Sequence, residues 1–156
     1  MAFEFKLRRL VEFHETDSAG VVHFSNFFRY CEITEAAFLR SLGLTLHRAD
    51  HAWVWPRIDA QCSFLKPARF GDELEIHLLV VRKSEKTIEY MYAIHVLGAA
   101  AATLVAQARI VVACASWSES AQSLKARPLP PELNELVEEA PQDVLGSSLR
   151  RVGRVG

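Results

Sequence analysis

The chain has 156 residues, half of them hydrophobic and 24% charged, with a formal net charge of −1 at pH 7. That length suits one domain with its own core, and the composition is globular rather than disordered. A balance so close to zero gives no global field for nucleic acid or an anionic membrane, so an anionic ligand must be met by local cations.

Taken in chain order, residues 3–13 alternate, with Phe3, Phe5, Leu7 and Arg9 on one face, and predict a strand. Residues 15–20 are small and polar and predict a loop. Ser25 has the character of a helix N-cap. Phe27, Tyr30, Cys31, Thr34, Ala37, Phe38 and Leu42 recur at helical spacing, widened by Phe28 and Ile33, and Gly43 suits the helix end. The pattern then turns to β at 53–65, at 74–80 with Leu74, Ile76, Leu78 and Val80 inward, at 88–96, and at 102–115. Pro67 and Gly71 punctuate the first turn between these strands. Pro128, Pro130 and Pro131 precede a short helix over 132–139, and 141–156 is expected to be a flexible tail. The expected architecture is α+β: one domain over 1–140, with a long helix wrapped by an antiparallel sheet of about five strands. Exposed sheet edges favour at least a dimer.

The three cysteines, Cys31, Cys62 and Cys114, have neither metal-ligand spacing nor a disulfide framework. They are expected to be small buried residues in a reducing, cytoplasmic setting. The first ten residues lack the apolar stretch of a signal peptide. The longest apolar run, 97–105, is too short to span a bilayer, so no stable membrane anchor is expected.

Chemistry concentrates between Glu15 and Asn26. Asp17 lies in a loop just ahead of the helix, and Ala19 and Gly20 leave the backbone open to close approach. The helix start adds unpaired N–H groups and a positive dipole end. A carboxylate beside such donors suits attack on an activated carbonyl, although an aspartate in this position is commonly just a cap or loop residue.

The run Asp17-Ser18-Ala19-Gly20-Val21-Val22-His23-Phe24-Ser25-Asn26-Phe27, preceded by Glu15-Thr16, resembles the signature of the 4-hydroxybenzoyl-CoA thioesterase family. The resemblance continues through Phe64-Leu65-Lys66-Pro67-Ala68-Arg69-Phe70-Gly71-Asp72-Glu73-Leu74 and covers about residues 3–117. It implies a hotdog fold, dimers often paired into tetramers, and active sites at the dimer interface. It implies hydrolysis of an acyl-CoA thioester, with Asp17 as nucleophile or general base and the backbone N–H of Phe24 polarising the thioester oxygen. No metal or cofactor is expected, coenzyme A being part of the substrate. The flavour nearest this chain acts on aromatic acyl groups such as hydroxybenzoyl or dihydroxynaphthoyl. Some relatives carry Tyr and His where this chain has Phe13 and Phe24; a histidine occurs one step earlier, at His23, as a further candidate.

Gly20 and Asn26 are candidate substrate or loop-fixing residues. Lys66, Arg69, Arg82 and Lys83, with Lys86, are candidate contacts for the nucleotide phosphates. Glu32 and Glu35 are reserve carboxylates, expected on a solvated or interface-facing side of the helix. His47 and His51 are expected at the surface, and Trp53 and Trp55 in a core or interface. The competing readings are a thioesterase for medium- or long-chain aliphatic acyl-CoA, a hydratase of the same fold, and a non-catalytic acyl-CoA-binding module. The hydratase pattern Asp-x-Asn-Pro-x-His is absent from the sequence, and Asp17 speaks against the binding module.

Overall fold

A computed structural model describes residues 1–46 and 53–149. Strand β1 (Glu4–Leu10) leads through a single 3-10 turn (Phe13–Glu15) and the Asp17 loop into helix α1 (Ser25–Ser41). Strands β2 (Arg57–Phe64), β3 (Glu73–Lys83), β4 (Thr87–Leu97) and β5 (Ala102–Ala113) follow. They form a five-stranded sheet in the order β1-β3-β4-β5-β2, with every neighbouring pair antiparallel. Strand β2 therefore comes directly after the helix yet lies at the far edge from β1.

The alternation in β3 and β4 explains how the sheet takes the helix. Leu74, Ile76, Leu78 and Val80 of β3 and Ile88, Tyr90, Tyr92 and Ile94 of β4 all point to one face and are fully buried. Helix α1 lays Phe27, Tyr30, Cys31, Thr34, Phe38 and Leu39 onto that face. Each buried aliphatic or aromatic side chain contributes roughly 2 kcal/mol before the entropic cost of ordering it. The helix closes as expected at Gly43, whose φ is +75°. There Gly43 N–H donates to the Arg40 carbonyl (3.0 Å) and Leu44 N–H to the Leu39 carbonyl (2.9 Å), the pair of bonds that ends a helix at a left-handed residue.

Several expectations are corrected. Ser25 is the first helical residue rather than the N-cap; the cap is Phe24, which makes no side-chain capping bond. The acceptor comes from one residue further back, where His23 Nδ1 receives Ser25 N–H at 3.3 Å. Ile33 faces solvent, whereas Glu35 is buried, because the packed stripe drifts toward Leu39 rather than Ile33. The strand expected over 53–65 starts at Arg57, with Pro56 unable to donate to a ladder. Ahead of it Val54 and Ala115 make an isolated bridge. Trp53 and Trp55 pack half-buried against the core. Beyond β5, strands β6 (Ala115–Ser118) and β7 (Ser123–Ala126) form a small hairpin where the sequence pattern predicted only the end of a strand. Helix α2 (Pro131–Leu136) is shorter than expected and has Pro131 at its first turn. Within the segment read as a flexible tail, Gln142–Leu149 form helix α3, since Leu145 and Ala140 bury against Leu79 and Met91 on the sheet face opposite α1, and residues 150–156 lie outside the described residues. His47 and His51 lie outside the described residues.

Candidate active site

The Asp17 loop is a closed turn. Thr16 and Val22 pair across it, Asp17 N–H donates to the Val21 carbonyl (2.8 Å), and Gly20 N–H donates to the Asp17 carbonyl (3.0 Å). Gly20 holds φ at +72°, a left-handed conformation in which a side chain is strained. The far side of the turn is tied to residues 65–72: Val22 N–H donates to the Ala68 carbonyl (2.8 Å), and Val21 pairs with Arg69. Asp17 is thus fixed from both directions. Its Oδ1 accepts N–H bonds from Ala19 (2.8 Å) and Val21 (3.4 Å), and its Oδ2 has no hydrogen-bond partner among the described residues.

Asp17 opens onto a cleft of about 430 Å³, lined also by Val21, Val22, Phe24, Phe27, Phe64, Leu65, Lys66, Pro67 and Ala68. Phe64, at the end of β2, meets Phe27 at 5.5 Å and Phe24 edge-on at 6.3 Å between ring centroids. The walls are therefore aromatic, with Asp17 as the carboxylate and Lys66 as the ammonium among the lining residues. The backbone N–H of Phe24, at the positive end of the α1 dipole, takes no acceptor among the described residues. Phe24, whose N–H takes no acceptor among the described residues, and Asp17, with one uncommitted carboxylate oxygen, line the same apolar cleft. That arrangement can attack, or activate water to attack, a carbonyl whose oxygen is held by the N–H.

The other sequence candidates divide. Arg69 lies against the Asp17 turn through its backbone pairing with Val21. Gly20 shapes the turn without lining the cleft. Asn26 is buried beneath it and donates from Nδ2 to the Glu15 carbonyl at 2.7 Å. His23 sits behind the helix start, with Nδ1 2.8 Å from Ser25 Oγ, and does not line the cleft. Arg82 and Lys83 are not brought to the site by this chain. They end β3, whereas Arg69 precedes its start, and eleven strand residues put about 30 Å between them. Lys83 Nζ is committed to the carbonyls of Asn134 (2.8 Å) and Val137 (2.6 Å).

Glu35 departs most from its expected place. Only 1% exposed, it meets Arg57 of β2 at 2.5 Å, while its Oε1 has no partner among the described residues. Burial pushes its carboxyl up to about 7 despite the opposing pull of Arg57. Glu32 is exposed. The aromatic walls from Phe27 and Phe64, and the Arg9–Glu15 pair under the loop, were not singled out as site residues from sequence. The one signal for the pair was an arginine on the inward face of β1.

A helix wrapped by a five-stranded antiparallel sheet, with a carboxylate loop at the helix start, is the hotdog fold of thioesterases. The model of the thioesterase-like superfamily matches residues 11–137, and the chain belongs to that family. A 1,4-dihydroxy-2-naphthoyl-CoA hydrolase from Nostoc punctiforme is 30% identical over 149 residues, covering 94% of this chain and 95% of that protein. The crystal structure of a 1,4-dihydroxy-2-naphthoyl-CoA thioesterase from Synechocystis superposes with a TM-score of 0.77 at 29% identity, covering 85% of this chain and 94% of the other. The 4-hydroxybenzoyl-CoA thioesterase of Pseudomonas sp. strain CBS-3 shares the fold, with a TM-score of 0.78 at 21% identity and coverage of 86% and 99%. The chain is a thioester hydrolase. No helix among the described residues is long and apolar enough to cross a membrane.

Proposed function

We propose that this thioesterase hydrolyses an aromatic acyl-CoA to the free acid and coenzyme A, with Asp17 and the Phe24 N–H as the reacting pair. The observation that carries this is their common position at an aromatic-walled cleft. Phe24, Phe27 and Phe64 suit a planar acyl group, which stacks or packs edge-on against such rings. The thioester carbonyl oxygen accepts from Phe24 N–H, which favours the oxyanion over the ground-state carbonyl. Asp17 Oδ2 then acts in one of two ways. As a nucleophile it bonds to the carbonyl carbon, the C–S bond breaks, coenzyme A leaves as thiolate, and water resolves the anhydride. As a base it takes a proton from water, whose oxygen bonds to the carbonyl carbon, and the C–S bond then breaks with coenzyme A leaving as thiolate. A thiolate leaves readily, so neither route calls for a metal or a cofactor. Lys66 and Arg69 are the cations placed to meet the nucleotide phosphates.

The working unit is a homodimer, paired further into a tetramer. Edge strand β2 carries exposed Ile58 and Phe64, and Phe13, Phe24 and Phe70 are also exposed. A second chain would cover such an edge and complete the cleft. Free cysteines fit a cytoplasmic setting.

The test is thiol release from a panel of hydroxybenzoyl-, dihydroxynaphthoyl-, medium-chain and long-chain acyl-CoAs, with Asp17→Asn alongside. The aromatic thioesters are expected to turn over fastest, and Asp17→Asn to lower kcat by about 1000-fold. Full activity in Asp17→Asn would remove Asp17 from the mechanism. A preference for aliphatic chains would replace the aromatic substrate class, and no release from any thioester would favour a binding module.

A further inference from the structure

Beneath the Asp17 loop lies a polar cluster that never touches the cleft. Glu15 is its centre and is 6% exposed. Its carboxylate accepts from the Arg9 guanidinium of β1, from Tyr30 Oη of α1 at 3.0 Å, and from Glu12 N–H at 2.8 Å. The Arg9 guanidinium also lies over the Tyr30 ring, 4.7 Å from its centroid. Burial, then the adjacent Glu15 charge, holds the Tyr30 hydroxyl far above its ordinary range, so it stays a donor.

The backbone of Glu15 does a second job. Its carbonyl accepts His23 N–H at 2.9 Å and Asn26 Nδ2 at 2.7 Å. The loop leaves Glu15 through Thr16 and returns to it at His23, so one residue holds both ends. His23 and Phe24 carry consecutive amides. A shift of the Glu15 carbonyl therefore moves the Phe24 N–H along with the loop that carries Asp17. A buried carboxylate is costly, and here each of its partners fixes direction: one from the strand, one from the helix, one from the turn between them.

We propose that Glu15 is a positioning residue for thioester hydrolysis: its grip on Arg9, Tyr30, His23 and Asn26 sets the distance between the Asp17 carboxylate and the Phe24 N–H. The proposal rests on the reading that these two groups are the reacting pair. Glu15 touches no substrate and acts only through the loop it clamps.

The test is steady-state kinetics on the intact protein with hydroxybenzoyl-CoA, together with thermal melting. Glu15→Gln keeps the side chain's size and removes its charge, and is expected to lower kcat by about 30-fold with KM within about twofold, as for a misplacement near 1 Å. Arg9→Met combined with Glu15→Gln removes the stranded cation, and should restore the melting temperature without restoring kcat. Tyr30→Phe deletes one hydroxyl and is expected to lower kcat about fivefold at unchanged KM, which keeps the idea testable should Glu15→Gln fold poorly. In an Asp17→Asn background, Glu15→Gln should add less than about a twofold loss, because a positioning residue has nothing left to position. Wild-type kcat in the folded double variant, or a full additional loss in the Asp17→Asn background, overturns the proposal while leaving Asp17 in place. Full activity in Asp17→Asn alone fails the reading beneath it and removes both.

Discussion

At the scale of single residues, Glu35 makes the sharpest energetic statement. Its carboxyl is pushed up to about 7 by burial, against an ordinary value of 4.5, with Arg57 pulling the other way and Glu32 adding to the rise. The folded state therefore holds a proton that the unfolded chain has released between those two values. Stability from this group is fully present below about pH 4.5 and is lost as pH rises through about 7. Glu35→Gln is neutral throughout and should flatten that part of the stability curve. Urea unfolding at pH 5 and pH 8 checks this: the wild type should lose more stability than the variant between them. Equal losses would show that Glu35 stays ionised beside Arg57. Gly20 gives a second residue-scale expectation. A Cβ there meets nothing within 4 Å, so Gly20→Ala is opposed only by its φ of +72°, at about 1 kcal/mol. The melting temperature should fall slightly, and a clear rise would contradict the left-handed turn.

At the scale of elements, Lys83 separates a structural cation from one proposed to meet the substrate. It ends β3 and ties the carbonyls of Asn134 and Val137, which α2 leaves open at its C-terminal end. Lys83→Met should cost about 1–2 kcal/mol of stability with KM for the acyl-CoA unchanged. Lys66→Met should do the reverse, raising KM about fivefold with little change in melting. A shift in KM for Lys83→Met would return that residue to the ligand site. Lys83 and Lys66 look alike in sequence; only the strand length between them separates their roles. The same limit explains which elements were legible. The strands β1, β3 and β4 and helix α1 announce themselves because one face of each is apolar at a regular period. The Glu35–Arg57 pair was hidden because helical periodicity sends a glutamate outward, and its partner lies on a strand that crosses to the opposite edge. Helix α3 was hidden because Gly146 and the serines after it resemble a tail, while its burial is supplied by Leu79 and Met91 on the second face of the sheet. Of the residues lining the cleft, Asp17 and Phe24 were singled out through the resemblance of the loop and Lys66 through its place among the cations near strand ends. Phe64 was not singled out, since only folding brings the end of β2 to the start of α1.

At the scale of the whole molecule, the sheet is finished on one side only. Strand β1 is tied through Ala2 to the end of α2, where Ala2 N–H donates to the Leu136 carbonyl (2.8 Å) and Glu138 N–H to the Ala2 carbonyl (3.0 Å). Strand β2 pairs with β5 alone, and no other strand covers its outer edge among the described residues. Ile58 on that strand is 58% exposed, an unusual place for a large β-branched side chain unless a second surface meets it. Phe64, six residues further along, joins this edge to the cleft wall, so the proposed assembly through β2 and the proposed chemistry at Asp17 would be physically linked. Ile58→Asp should therefore shift the protein from dimer or tetramer toward monomer in analytical ultracentrifugation. It should also lower kcat/KM at least about tenfold at concentrations where the variant is monomeric, with activity recovering as concentration rises. A variant that is monomeric yet fully active would separate the edge from the active site. A wild-type chain that sediments as a monomer at micromolar concentration would leave β2 exposed in solution and require a different reason for its apolar side chains.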